Sequence, residues 1–152
     1  MSTRRMWSNS EVKFLEEQRV ARIATLDPKG VFPHVVPICY VFDRARFYTT
    51  LSKDAKRSKN IRSDNKVSLL VDEYEERSGE WITLRGILVK CRALSVSYSE
   101  DPHLFMKGWR LLLRKYPQYA HWAYEDLRPK DPDKRMIMQI QPIEKTAWGF
   151  SS

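Results

Sequence analysis

The sequence predicts a mainly β protein: one domain of six antiparallel strands that close into a small barrel, with helices at its flanks. Three observations carry this prediction. Short runs rich in β-branched and aromatic residues recur between Val20 and Leu94, separated by turn signals such as "DPKG" and "DRAR". Helical spacing is confined to the N-terminus, a basic stretch after Leu51, and a segment spanning about 100–127. Antiparallel strands joined by short turns leave exposed edges, and closing the sheet removes them.

The length of 152 residues fits a single domain covering 1–152, and a chain of this size buries ~70% of the surface that its unfolded form exposes. The 42% hydrophobic content is enough for a core, and the 30% charged residues are enough for a solvated surface. The longest apolar run, Val35 to Phe42, contains Pro37 and is far shorter than the ~20 residues that cross a bilayer, so no membrane segment is expected. The opening "MSTRRMWSNSEVKF" has no apolar core of a secretory signal, and a cytoplasmic protein is expected. Cys39 and Cys91 both sit in strand-like stretches without a C-x-x-C pattern, so both are expected as free thiols.

Taken in order, Ser8 or Ser10 caps a short helix reaching about Gln18, because "SNSEVKFLEEQ" offers S-x-x-E ahead of Val12, Phe14 and Leu15. Val20 to Leu26 forms a strand, "DPKG" turns, and Val31 to Phe42 returns as the second arm of a hairpin. "RFYTTL", Arg46 to Leu51, makes a third strand. The stretch "SKDAKRSKNIR" that follows has no Gly or Pro and predicts a helix from Asp54 to about Ser63. Lys66 to Tyr74 and Trp81 to Leu94 are strands flanking the polar loop "EERSGE", and Gly86 marks either a bulge or a close approach. Asp101 and Pro102 start a helix whose apolar positions Phe105, Trp109, Leu112 and Leu113 run up to Tyr116 and Pro117. A second short helix is expected over "QYAHWAYEDL", and Arg135 to Ile143 returns to strand before "EKTAWGF" closes the chain as a last strand segment.

The chemistry is legible mainly by exclusion. G-x-S-x-G, H-E-x-x-H, a Walker loop and G-x-G-x-x-G are all absent, so hydrolase, zinc and dinucleotide-fold readings lack support. His34, His103 and His121 are scattered, and no metal site is expected. The net charge of +8 favours anionic partners. "SKDAKRSKNIR" can be a solvated helix face, a nucleic-acid patch or a phosphate cradle. With a helix from Asp54, Lys53, Lys56, Arg57 and Asn60 share one face, and Ser52 and Lys53 stand at a helix start whose free amides and dipole favour a phosphate. Nucleic acid is the weakest of the three readings, because the basic residues form one compact segment with no interleaved aromatics.

Three blocks, "ARIATLDPKGVFPHVVPICY", "FYTTLSKDAKRSKNIR" and "NKVSLLVDEY", resemble the flavin-binding split-barrel family related to pyridoxamine 5′-phosphate oxidase, and "RGILVKCRAL" is similar to its next barrel strand. The branch most similar is the one assigned to the 5-deazaflavin coenzyme F420 rather than FMN. The resemblance implies a six-stranded split barrel that forms a homodimer, with cofactor at the subunit interface. It also implies that Val36, Pro37 and Ile38 lie against the cofactor ring, and that Thr49, Thr50 and Ser52 reach its ribityl chain and phosphate. Lys53, Lys56, Arg57, Lys59 and Asn60 would bind the phosphate and, for F420, the acidic tail.

A flavin carries the hydride chemistry itself, so the missing catalytic motifs are what such a protein would show. The implied activity is a flavin- or deazaflavin-dependent oxidoreductase acting on a small organic substrate, and five basic residues exceed what one FMN phosphate needs. A cofactor carrier or sensor and a haem-degrading protein are the other readings within the fold. "QPIEKTAWGFSS" has no counterpart of the Arg and His region with which the oxidases hold a vitamin B6 phosphate, so oxidation of B6 itself is not expected. Trp109, Tyr116, Tyr119, Trp122 and Tyr124 of the aromatic insert are expected as core or dimer contacts ahead of a pocket wall, and the insert is where substrate selection would be built. Tyr40, Tyr74 and Tyr98 are the tyrosines considered as proton donors.

Overall fold

A computed structural model describes residues 6–75 and 83–150. It contains helices α1 (Asn9–Glu17), α2 (Lys56–Ser63) and α3 (Pro102–Lys115), a 3-10 turn (Pro117–Trp122), and seven strands. The strands are β1 (Val20–Thr25), β2 (His34–Cys39), β3 (Val41–Phe42), β4 (Phe47–Ser52), β5 (Lys66–Glu75), β6 (Thr83–Ser97) and β7 (Arg135–Trp148). Of the expected loop "EERSGE", Glu75 ends β5, while the rest of it and the strand start at Trp81 lie outside the described residues.

All seven strands form one antiparallel sheet in the order β2-β1-β5-β6-β7-β4-β3. Its two edges, β2 and β3, are consecutive in the chain, so the sheet has to curl until they meet. The Thr49 hydroxyl donates to the Cys39 carbonyl at 2.6 Å and ties the two sides together. The result is the expected split barrel, with seven strands rather than six. The extra strand arises because the arm expected as one piece from Val31 to Phe42 changes partner at Tyr40. Cys39 still pairs with β1, whereas Val41 pairs with β4.

At that change of partner the Tyr40 backbone has no ladder of its own. The Tyr116 hydroxyl stands in, accepting from the Tyr40 amide at 3.1 Å and lying 2.6 Å from the Tyr40 carbonyl. The Tyr40 ring is fully buried, and its own hydroxyl donates to the Leu15 carbonyl at 2.6 Å. That burial raises its pKa far above the usual phenol range, which removes Tyr40 as a proton donor to a ligand.

The helices start where their caps predict. Ser8 and Glu11 form a reciprocal capping box on α1, and the Asp101 carboxylate accepts from the Leu104 amide at 3.0 Å with Pro102 in the first turn of α3. Two helices differ from expectation. α2 begins at Lys56 rather than Asp54, because the Ser52 hydroxyl and carbonyl hold the Asp54 and Ala55 amides in a turn. The helix expected over "QYAHWAYEDL" is instead the single 3-10 turn Pro117–Trp122.

β7 is one continuous strand through Pro142, joining the strand expected over Arg135 to Ile143 with the final strand segment expected over "EKTAWGF". A proline lacks the ladder amide, and beside it β7 bulges: Ile143 has no partner in β6, which is the register shift seen between Lys90 and Cys91. Gly86 marks a close approach rather than that bulge: a Cβ there would lie 2.6 Å from the Trp148 indole.

Two apolar layers result. Ile23, Phe47, Leu51, Leu69, Val89 and Ile140 fill the barrel with α1 as a plug, while Tyr48, Val96 and Ile137 point outward against Phe105, Trp109 and Leu112 of α3. Alternation along β4 therefore serves both layers. Gly108 lets α3 lie on the sheet, since a Cβ there would come within 2.7 Å of Ile137.

Candidate functional site

The carboxyl end of β4 delivers the chain to α2, and the start of that helix is the chemically open point of the fold. Ala55 occupies the N-cap without a side chain able to cap it. Amides at Ser58 and Lys59 bond back to the Ala55 carbonyl, while those of Lys56 and Arg57 have no partner among the described residues. Two unpartnered amides and the positive end of the helix dipole thus meet at one place.

The predicted binding residues do not all converge there. Arg57 points inward and is half-buried, with its Nε atom buried and unpartnered. Its guanidinium is held below the usual range, first by burial and then by the nearby Arg135. Lys56 is exposed and reaches the Asp27 carboxylate at 3.5 Å. Lys59 is exposed, and Lys53 precedes the helix instead of sharing its face. Lys53 lines a separate cleft of about 420 Å³ with Arg62, Glu100 and Asp133.

Asn60 is fully buried and donates to the Thr25 hydroxyl at 2.9 Å, which leaves its Oδ1 without a partner. It therefore pins α2 to β1, and any contact with a ligand would have to come through that oxygen. Ser52 is exposed and accepts from Asp54. Thr49 and Thr50 are buried, with their hydroxyl protons given to the Cys39 and Met136 carbonyls. They can offer a ligand only their lone pairs. Val36 is half-buried, Pro37 exposed and Ile38 buried on β2, an edge strand that pairs with β1 alone.

The structure adds a group that sequence spacing did not single out. Arg135, the first residue of β7, lies opposite Ser52 in the ladder, and its charge acts on Arg57. Arg22, Arg44, Arg85 and Arg128 all pair with carboxylates, whereas among the described residues neither Arg57 nor Arg135 does. The insert supplies the wall beside them. Tyr119 stacks on Trp109 with ring centroids 6.3 Å apart, Trp122 lies 5.5 Å from Tyr119, and the Arg135 guanidinium sits 4.8 Å from the Trp122 ring centroid. Burial and the neighbouring Cys39 thiol push the Tyr119 hydroxyl up, while Arg135 and Arg57 pull it back.

Of the insert's aromatics, Trp109 and Tyr116 are core. Trp122 and Tyr124 are exposed, and Tyr119 stands between. No signal in the sequence could have paired Arg57 with Arg135, since the whole barrel separates them along the chain. Among the described residues no cluster of His, Cys, Asp and Glu could hold a metal ion, and no helix is long and apolar enough to cross a membrane.

The profile of the pyridoxamine 5′-phosphate oxidase family matches residues 10–149, nearly the whole barrel and the start of α2. The chain belongs to that family. No curated protein matches the sequence. Among solved structures, the conserved hypothetical protein Rv2991 from Mycobacterium tuberculosis superposes with a TM-score of 0.72 at 21% identity, covering 94% of this chain and 85% of that one. The heme storage protein HutZ from Vibrio cholerae gives 0.73 at 18% identity, with 94% and 96% covered. An FAD-binding protein from Mesorhizobium loti gives 0.64 at 20% identity, with 93% and 94% covered. At these identities the likeness shows a shared fold, and its members carry different ligands.

Proposed function

We propose that the protein is a flavin- or deazaflavin-dependent oxidoreductase that exchanges a hydride between its bound cofactor, F420 or FMN, and a small organic substrate. The observation that carries this reading is the start of α2, where the free Lys56 and Arg57 amides meet the half-buried Arg57 with its unpartnered Nε. A dianionic phosphate satisfies all of these groups at once. The cofactor ring supplies the hydride chemistry when bound. The chain's part is to seat the phosphate through Lys56 and Arg57, and to offer the outer edge of β2 at Val36–Ile38 to the ring. Lys59 and Lys53 add a positive field for the acidic tail of F420.

The reading includes a homodimer with cofactor at the subunit interface. The outward face of β2, β1, β5 and β6 supports it, carrying Val35, Pro37, Leu70, Tyr74, Leu84 and Leu88, with Val35, Tyr74 and Leu84 more than half exposed. A cytoplasmic location belongs to the same proposal.

The test is a binding titration of FMN, FAD, F420 and haem against wild type and Lys56→Ala/Arg57→Ala. Removing two charge-assisted partners of a phosphate costs about 3 kcal/mol, or ~100-fold in affinity. Equal binding by the double variant would remove the site, and tight binding without hydride exchange across a panel of acceptors would leave a carrier or sensor.

A second reading, haem binding, has one observation in its favour: the His34 Nδ1 atom is buried and unpartnered. The haem arm decides it through the absorption spectrum of wild type against His34→Ala.

A further inference from the structure

We infer that Arg135, Tyr119 and Trp122 form a second anion subsite beside the cofactor phosphate, and that it takes the carboxylate of a planar, monoanionic substrate. The inference rests on the proposed cofactor site only in assigning Arg57 to the phosphate.

Bringing Arg57 and Arg135 together, half-buried and with no carboxylate beside either among the described residues, is unfavourable for the protein alone. One phosphate at the helix start accounts for Arg57. Arg135 is left with one positive charge and no anion to balance it.

Its geometry selects the partner. The Arg135 guanidinium sits 4.8 Å over the Trp122 ring, and among the described residues its fork of N–H donors makes no hydrogen bond. That fork matches the two oxygens of a carboxylate. The Tyr119 hydroxyl, kept protonated by its burial and by its hydrogen bond with the Cys39 thiol, is close enough to feel the charge of Arg135. The rings of Tyr119 and Trp122 give a flat apolar surface for the rest of the substrate, and their order is fixed from behind by Trp109, whose indole N–H donates to the Leu127 carbonyl at 2.9 Å.

The whole subsite comes from the insert and the first residue of β7, while the phosphate site comes from the β4–α2 junction. Substrate choice and cofactor seating are thereby built from separate segments, linked where the charge of Arg135 acts on Arg57.

The test uses FMN-loaded protein, with benzoate as the probe and benzamide as its uncharged counterpart, read by tryptophan fluorescence and by perturbation of the flavin spectrum. Saturable benzoate binding is expected, with benzamide at least 10-fold weaker. Arg135→Gln is expected to weaken benzoate at least 10-fold while changing FMN affinity less than 2-fold. Tyr119→Phe, which keeps the ring wall and so guards against a folding artefact, should weaken benzoate about 3-fold and leave FMN unchanged.

Absence of benzoate binding overturns the inference, as does equal loss of benzoate and FMN affinity in Arg135→Gln. Displacement of benzoate by F420, together with loss of F420 but not FMN affinity in that variant, also overturns it, because Arg135 then serves the cofactor's tail. Benzoate binding that depends on Arg135 in a protein that binds no flavin upholds the subsite and rejects the proposed cofactor instead.

Discussion

Replacing Tyr116 by Phe removes one hydroxyl from the point where the sheet's two edges meet. The Tyr40 amide, 3.1 Å away, loses its acceptor, and a buried carbonyl, of Tyr40 at 2.6 Å or Arg19 at 2.7 Å, loses its donor. Tyr40 is fully buried, so water cannot take the hydroxyl's place without opening the seam. Each buried polar group left unsatisfied costs about 1–3 kcal/mol, which gives about 2–6 kcal/mol for the two. For a domain of this size each kcal/mol moves the melting temperature by about 2–4 °C, so a fall of about 4–24 °C is expected in a circular-dichroism melt. Tyr48→Phe is the matched control. Tyr48 is just as buried, but its hydroxyl meets only the Gln139 side chain, at 3.1 Å, and the expected loss is about 1 kcal/mol. If Tyr116→Phe costs no more than Tyr48→Phe, the hydroxyl does not hold the seam and the account of the barrel's closure fails.

Other expectations follow from the same packing. Gly108→Val should lower the urea midpoint by the equivalent of about 1–3 kcal/mol, because even a Cβ would approach Ile137 to 2.7 Å and Tyr48 to 3.0 Å; an unchanged midpoint would mean that α3 is not seated on the sheet. Lys115 gives a pH dependence. Burial first, and Arg19 second, hold its ammonium down to about 8 from 10.5. Below about pH 8 both folded and unfolded chains carry the charge, so the burial penalty is fully present; between 8 and 10.5 the folded chain sheds its proton first and stability rises with pH. Compared with Lys115→Met in urea titrations at pH 7 and pH 10, wild type should gain stability at the higher pH, and a constant difference between the two proteins would refute the assignment.

The barrel was legible because its signals are local. Alternation in "VARIAT" and "RFYTTL", the Ser8–Glu11 box and the Asp101–Pro102 start each act within a few residues, and each appears where expected. What escaped depends on partners distant in the chain. The break at Tyr40 is set by which strand lies alongside, and its surrogate partner, Tyr116, comes from the insert. The α2 boundary moved because a Ser52 turn competes with helix at Asp54 and Ala55. Helical spacing placed Lys53, Lys56, Arg57 and Asn60 on one face, but it could not see that Asn60 would be drawn inward by Thr25 or Lys56 outward by Asp27. Arg57 turns inward, half-buried with its Nε unpartnered. Arg135 became visible only once β7 was laid against β4.

The insert leaves β6 after Ser97 and rejoins β7 at Arg135, and Ser97 faces Met136 across the ladder. Its two ends are therefore adjacent, and a tight hairpin could join the strands in its place without disturbing the register. An exchangeable cassette between fixed posts is a simple route by which one barrel could acquire new substrates. Tyr116 limits that freedom. Any replacement segment would have to return a hydroxyl to Tyr40 or leave the barrel unlatched, so in this chain the part most open to variation also fastens the part least able to vary.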